Sequence, residues 1–373
     1  MPLYVRELGV TDPGRIALWS GLLAAVTPAV SGLLGPFFGR LADRFGRKLM
    51  LIRSLAGFVV IIALMGLVTS VEQLFLTRLV QGLFAGFTPM AMAVASVAAP
   101  RDRVPAAIGL VQSAQLLSVA VGPAAGGYVA SHFGIRAAFF VTAALCAVAL
   151  VGLIVLFQEV APGGARIERG AAPRLPMRQA LRYPNFLLVA SLLLIGQFVD
   201  RGLALLIPLH VAHMPDVVAI AATSGAIISI AAVAATGSAN VVARLSEGVP
   251  SSRLLMLALL AGAPLCAAMA LAHGWVSLLL LRTLVALCLG GAITLAYALG
   301  AEIVPAEHRG AAFGWLALGV QVGTASSPLA MGALASVSIP LSYVANGALA
   351  AVGAGLLAFG WRAQRPPLGD ARA

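Results

Sequence analysis

Eleven runs of mostly apolar residues dominate this chain, at 16–38, 49–69, 74–99, 105–130, 137–157, 186–209, 217–242, 253–273, 276–301, 309–335 and 340–361. A helix needs about 20 such residues to cross about 30 Å of hydrocarbon. A water-soluble domain has no interior that hides eleven of them. Composition agrees: 61% of the 373 residues are hydrophobic and 10% are charged, against about 25% charged in an ordinary soluble domain. The same figures exclude a disordered chain, a collagen-like repeat and a disulfide scaffold. An all-α integral membrane protein is the reading that survives.

Short turns separate the runs, except for one longer polar link at 158–185 that holds Pro162, Arg166, Glu168, Arg169, Pro173 and Arg174. It divides the chain into an N-terminal bundle, 1–157, and a C-terminal bundle with a short tail, 186–373. The net charge of +11 invites a nucleic-acid reading, but the basic residues cluster between apolar runs rather than along a soluble face. Eighteen of the 24 fall on one side of the membrane and only Arg6, Arg15 and Arg136 on the other. Positive residues stay inside, so the central link and the C-terminus are cytoplasmic. Cys146, Cys266 and Cys288 lie within apolar runs without metal-ligand spacing, so neither a disulfide framework nor a metal site is expected. The N-terminus has no basic segment followed by an apolar one, and is not a signal peptide.

The two halves repeat. Pro100, Gly109 and Pro123 correspond to Pro305, Gly314 and Pro328 at an offset of 205. Arg78 and Gly86 match Arg282 and Gly290 at 204, and Lys48, Ala56 and Gly57 match Arg253, Ala261 and Gly262. Parallel halves of this kind are a transporter architecture. Pro2-Leu3-Tyr4-Val5 aligns with Pro208-Leu209-His210-Val211. The expectation is a six-plus-six design showing five spans in the first half and six in the second, with the first helix missing through a truncated gene or a misassigned start.

Four features carry the chemistry. The run Gly39-Arg40-Leu41-Ala42-Asp43-Arg44-Phe45-Gly46-Arg47-Lys48 reads as a cytoplasmic reversal with a glycine at each end. Its acid stands among bases, as a latch to a neighbouring helix or as a solvated charge. Span 105–130 reads Gly109, Ser118, then Gly122-Pro123-Ala124-Ala125-Gly126-Gly127; the proline kinks the helix and the glycines admit a partner backbone. Arg78 begins Arg78-Leu79-Val80-Gln81-Gly82 within a span, and faces a cavity or partner, or snorkels to the outer interface. Asp200 is the only carboxylate deep in a span, where it must pair or protonate. It is read either as a proton site poised by Arg78, Arg201 or Arg282, or as a permanent ion pair. Gln112, Gln115, Gln197, Tyr297, Gln321, Phe87 and Asn346 are the expected cavity lining, apolar with a few polar groups. The five histidines fall at span ends and read as interfacial.

These segments resemble the major facilitator superfamily, multidrug-efflux (drug:proton antiporter) type. The 39–48 run is similar to that superfamily's signature loop, span 105–130 to its antiporter motif with Ser118 where a glycine is usual, and the Arg78 segment to its fourth-helix motif. The resemblance implies two rocking bundles that exchange an outgoing solute for an incoming proton. Asp43, Arg44, Arg47 and Lys48 become a conformational switch, and Arg78 takes part in proton transfer. It implies a monomer in the bacterial inner membrane whose partners are a small lipophilic or cationic substrate, protons and the lipid bilayer. No cofactor, nucleic acid or ATP is expected; no GxxxxGK[ST] occurs, and no nucleophile–base or metal constellation marks an enzyme. A sugar or metabolite exporter of the same fold, or a non-transporting truncated membrane protein, are the alternatives.

Overall fold

A computed structural model describes residues 1–99, 103–157, 177–305 and 308–361, though not every side chain within them. Among these residues every regular element is helical. The first half comprises α1 (Pro2–Glu7), α2 (Pro13–Phe45), α3 (Arg47–Leu67), α4 (Val71–Phe84), α5 (Phe87–Ala98), α6 (Val104–Phe133) and α7 (Ile135–Leu156). A short α8 (Met177–Ala180) precedes the second half: α9 (Phe186–Val211), α10 (Ile220–Leu245), α11 (Ser251–Ala268), α12 (Trp275–Leu289), α13 (Ala292–Ile303), α14 (Arg309–Val337) and α15 (Ile339–Gly360). Nine stretches among the described residues are long and apolar enough to cross a bilayer.

All eleven apolar runs are helical, with two differences. Run 74–99 is split into α4 and α5, and run 276–301 into α12 and α13. At the first break Gly86 adopts φ 106°, a conformation open to glycine and costly for other residues. The carbonyl of Leu83 freed there accepts a hydrogen bond from Arg53 Nη1 at 3.0 Å. The Arg53 guanidinium also lies 5.4 Å from the Phe84 ring centroid, and that ring fills the slot left open by Gly57. The repeat reproduces the slot: Leu289 packs against Gly262.

The 39–48 run needs a correction. It is not a loop between glycines, because α2 continues as helix through Gly39 to Phe45. The reversal is made at Gly46 alone, with φ 90°.

The larger apolar core belongs to the second half, centred on Leu193, Leu203, Leu206, Ile207, Leu278, Leu299 and Tyr343. The smaller, around Tyr4, Leu23, Met65 and Leu74, lies in the first. The halves meet along two seams, α6 against α10 and α2 against α14, and the seams are two copies of one contact. Gly225 lies against the Pro123 carbonyl and Gly127 against that of Ala221, with no room for a Cβ at either. Likewise Gly21 lies against the Pro328 carbonyl, and a Cβ at Gly332 would stand 2.8 Å from the Ala17 carbonyl oxygen. Each seam thus joins a Pro-x3-Gly helix to an Ala-x3-Gly helix, and small residues let the backbones touch.

All these contacts fall in the outer halves of the helices. Toward the basic side Gly109, Gly237 and Gly314 have no described neighbour within 4 Å of where a Cβ would stand, and Leu110 and Leu117 on α6 are exposed. Among the described residues, the backbone-to-backbone contacts between the halves thus lie on the outer side.

Candidate functional site

α9 runs along the division, touching α1 and α2 of the first half as well as its own bundle. Asp200 stands 14 residues from its inner end, about 21 Å at 1.5 Å per residue and so near mid-membrane. Arg282, from α12, donates through Nη2 to Asp200 Oδ1 at 2.9 Å. The two partners sit in different surroundings: the arginine side chain is 9% exposed and the aspartate 52%. Ionisable groups at this depth face a bundle interior or an aqueous opening. Half of the Asp200 side chain is accordingly open rather than packed. Arg282 Nε is buried without a partner, so the carboxylate is the main compensation for that charge.

Of the three arginines proposed to poise Asp200, only Arg282 reaches it. Arg201 turns instead to Gln197. With the amide oriented to match its donors, Gln197 Oε1 accepts from Arg201 Nε at 2.7 Å, from Arg201 Nη2 at 3.3 Å and from Thr324 Oγ1 at 3.2 Å. Arg78 lies in the first half, donating to Gln81 Oε1 at 3.2 Å and to Met1 Sδ at 3.5 Å. Its Nε is buried without a partner, and no acid pairs with it among the described residues. It does not snorkel.

The Gly-Pro motif of α6 divides the same way. Pro123 and Gly127 sit in the seam, whereas Gly109, Gly122 and Gly126 meet nothing within 4 Å. Exposed Ser118 donates back to the Ala114 carbonyl at 2.8 Å. Beside Pro123, whose ring disturbs the helical ladder, the Ala124 N–H donates across the seam to Ser229 Oγ at 3.0 Å. The Ala222 N–H, one of the orphan donors at the start of α10, finds Ser131 Oγ of α6 at 3.0 Å. Sequence reading missed both serines; their signal was a lone hydroxyl in an otherwise apolar helix face.

The expected cavity lining scatters. Gln112 and Gln321 are exposed and Gln115 half-buried; Gln321 Nε2 would stand 3.9 Å from a Cβ at Gly32, across the α2/α14 seam. Phe87 is half-buried at the start of α5. Tyr297 packs inward on Phe313, ring centroids 5.7 Å apart. Gln197 is buried, and Asn346 is wholly so. Asn346 does not line an opening: it is packed beside Gly202, whose Cβ would stand 2.9 Å from its Nδ2, because a tight α9–α15 crossing encloses it.

The side chains of Gly39, Asp43, Arg44 and Arg47 lie outside those described. Lys48 donates to the Ile154 carbonyl at 3.3 Å and lies 6.0 Å from the Phe157 ring centroid, both at the inner end of α7. Among the described residues no group of His, Cys, Asp and Glu is placed to hold a metal ion.

Comparison with known proteins bears on the family and the fold. The profile of the Major Facilitator Superfamily matches residues 1–275 and 249–372. The chain is 35% identical over 264 residues to the Klebsiella pneumoniae (strain 342) protein named multidrug resistance protein MdtG, covering 70% of this chain and 63% of that one. It is 34% identical over 289 residues to the protein of the same name from Dickeya zeae, covering 76% and 70%. The chain thus matches a little under two thirds of the length of the Klebsiella protein. Two crystal structures of a bacterial homologue of the human lysosomal transporter Spinster share the fold. One, inward-facing and unoccupied, has a TM-score of 0.78 at 17% identity and covers 95% of this chain and 90% of its own. The other, inward-facing and occupied, has a TM-score of 0.74 at 18% identity, covering 96% and 91%. With two repeated helical bundles, two matching seams and a profile match along nearly its whole length, this multi-pass membrane protein belongs to the Major Facilitator Superfamily.

Proposed function

We propose that this chain is a secondary active transporter of the bacterial inner membrane, exporting small lipophilic or cationic compounds in exchange for protons by alternating access. The observation that carries the reading is the Asp200–Arg282 pair, dry on the arginine side and open on the aspartate side. Protonating Asp200 removes the anion that compensates Arg282, leaving an uncompensated charge in a low-dielectric bundle. Deprotonating it restores the pair. An arrangement that changes by about 1–3 kcal/mol with one proton, given the half-exposed aspartate, is suited to bias two packings of the halves. A cationic solute entering from the cytoplasm meets the same half-exposed carboxylate and competes with the proton for it, which is how exchange arises. The MdtG names of the relatives support drugs as cargo. The Pro123–Gly127 seam and the basic 39–48 segment supply hinge and switch in this reading, without contacting the solute.

The test is ethidium accumulation in cells expressing the chain, with and without a protonophore, against cells with empty vector and with Asp200→Asn. Membrane expression is measured in the same samples. Low accumulation that rises with the protonophore, lost at least tenfold in Asp200→Asn, is expected. Protonophore-sensitive efflux that survives Asp200→Asn unchanged sinks the assignment of the proton to this residue.

A further inference from the structure

α9 carries two charged side chains in succession at mid-membrane, Asp200 and Arg201, and both residues are exposed. At about 100° per residue they bound one arc of the helix, with Gln197 and Ala204 between them. The opposite arc is closed. Val199, Leu203 and Leu206 lie in the second-half core, and Gly202 is pressed against Met331 and Ser327 of α14 and Asn346 of α15. Acid and base therefore open on the same side of α9. The base cannot escape to water at a membrane surface: Arg201 stands ten residues from the outer end of α9 and 15 from the inner end, about 15 and 23 Å, beyond what a snorkelling side chain spans.

No acid answers Arg201 among the described residues. Asp200 is taken by Arg282. The helices that touch α9 are α1, α2, α10, α13, α14 and α15, and α10, α14 and α15 contain no acid. The others place theirs at helix ends. Glu7 closes α1 at the outer side and meets Arg136 at 3.5 Å; Asp12, just before α2, accepts the Arg15 N–H; Asp43 lies at the inner end of α2. Glu302, at the inner end of α13, accepts from Ser251 at 3.1 Å. What Arg201 has instead is an amide: Gln197 Oε1 takes its Nε–H and one Nη2–H, and Thr324 of α14 holds that amide in turn. This leaves the fork between Nη1 and the second Nη2 hydrogen unmet among the described residues. A mid-membrane guanidinium fixed from behind, with two parallel N–H groups free, has the shape and charge to receive a carboxylate.

We propose that this arc of α9 takes zwitterionic amphiphiles: the cationic group of the solute meets Asp200, and its carboxylate meets the free fork of Arg201, which Gln197 and Thr324 position. This rests on the reading of Asp200 as the place where solute and proton compete. The two contacts have different tasks. The one at Asp200 is abolished by a proton, and so couples binding to protonation. The one at Arg201 persists at any physiological pH, because arginine keeps its charge, and so sorts solutes without answering to protons. Toward a purely cationic compound Arg201 is a repulsive neighbour; toward a zwitterion it is a second anchor, and specificity comes from both effects together.

A matched pair of fluorescent probes tests this: an unalkylated rhodamine with its carboxylate free, which carries a delocalised cation and an anion, and the methyl ester of the same dye, which keeps the cation alone. Their fluorescence anisotropy is titrated with the purified full chain in nanodiscs at neutral pH. The unaltered chain is expected to bind the acid more tightly than the ester. Arg201→Gln is expected to reverse that order, weakening the acid by about tenfold or more while the ester binds more tightly, a like charge having gone. Arg201→Lys, which keeps the charge and loses the fork, recovers part of the acid's affinity, and Gln197→Leu weakens the acid in the same direction as Arg201→Gln. An acid-to-ester ratio that Arg201→Gln leaves unmoved overturns the proposal, as does failure of the unaltered chain to bind the acid. Ester binding unaffected by Asp200→Asn refutes the reading of Asp200; ester binding lost in that variant, with a ratio indifferent to Arg201→Gln, refutes the zwitterion site alone.

Discussion

The two halves carry the same arginine in different company. Arg282 in the second half is neutralised by Asp200 at 2.9 Å; Arg78, its repeat partner in the first, has a glutamine and a methionine sulfur as its described side-chain contacts. The difference teaches that duplication preserved the slot for the charge while the halves diverged in what answers it. The second half holds charge chemistry in a large apolar core, and the first holds an arginine beside a small one.

Exchanging the two arginines for alanine breaks the comparison most strongly. Arg282→Ala strands a carboxylate at mid-membrane. Because Asp200 is half exposed, the expected destabilisation is about 1–3 kcal/mol rather than the 3–5 of a fully buried pair. It reads as a lower melting temperature in detergent, and Asp200→Asn added to it restores most of the loss. Arg78→Ala removes a buried cation without an acid among the described residues, and the melting temperature holds or rises. Equal losses in both variants mean that an acid also answers Arg78.

The seams give a second, smaller test, with its own control inside α6. A methyl group at Gly127 meets the Ala221 carbonyl, and one at Gly332 meets that of Ala17, whereas Gly126 faces open space. Gly127→Ala and Gly332→Ala are each expected to loosen the outer closure and cut transport about tenfold, with Gly126→Ala near wild type. Labelling of a cysteine placed at Ala130 by a membrane-impermeant maleimide, in a background without Cys146, Cys266 and Cys288, checks the closure directly. If Gly126→Ala does as much harm as Gly127→Ala, the seam is wrongly placed. The smallest effect is expected from Ser229→Ala, which removes one acceptor from the α6/α10 seam. It is worth about 1 kcal/mol, or roughly a fivefold rise in outer labelling.

Sequence alone carried the architecture, because eleven apolar runs and a charge bias are properties of composition along the chain. It also singled out Asp200, since a carboxylate has few reasons to stand in mid-span. Which arginine answers it was not legible: Arg201 is adjacent in sequence, but helix geometry turns it toward Gln197 and Thr324, while Arg282 arrives 82 residues later. The breaks at Gly86 and at Gly290 passed unnoticed inside apolar runs, because hydropathy does not register a change of backbone direction. The antiporter-like segment was read as a unit, yet only part of it touches the other half, since glycines one position apart point to different faces of a helix. Asn346 was assigned to an opening from its polarity; whether a polar group lines a cavity or is sealed between α9 and α15 depends on the crossing of those helices.

The surfaces that close the outer side are made of carbonyl groups and Cα atoms rather than of interlocking side chains. Such a surface has no side-chain alphabet through which mutation can edit it gradually; a position there stays small or the closure fails. The α6 face that carries Gly122 and Gly126 has the opposite property, because these positions meet no described neighbour. Change that keeps the closure and change that alters the open helix faces therefore fall on separate sets of residues, and the second set can be revised repeatedly without disturbing the first.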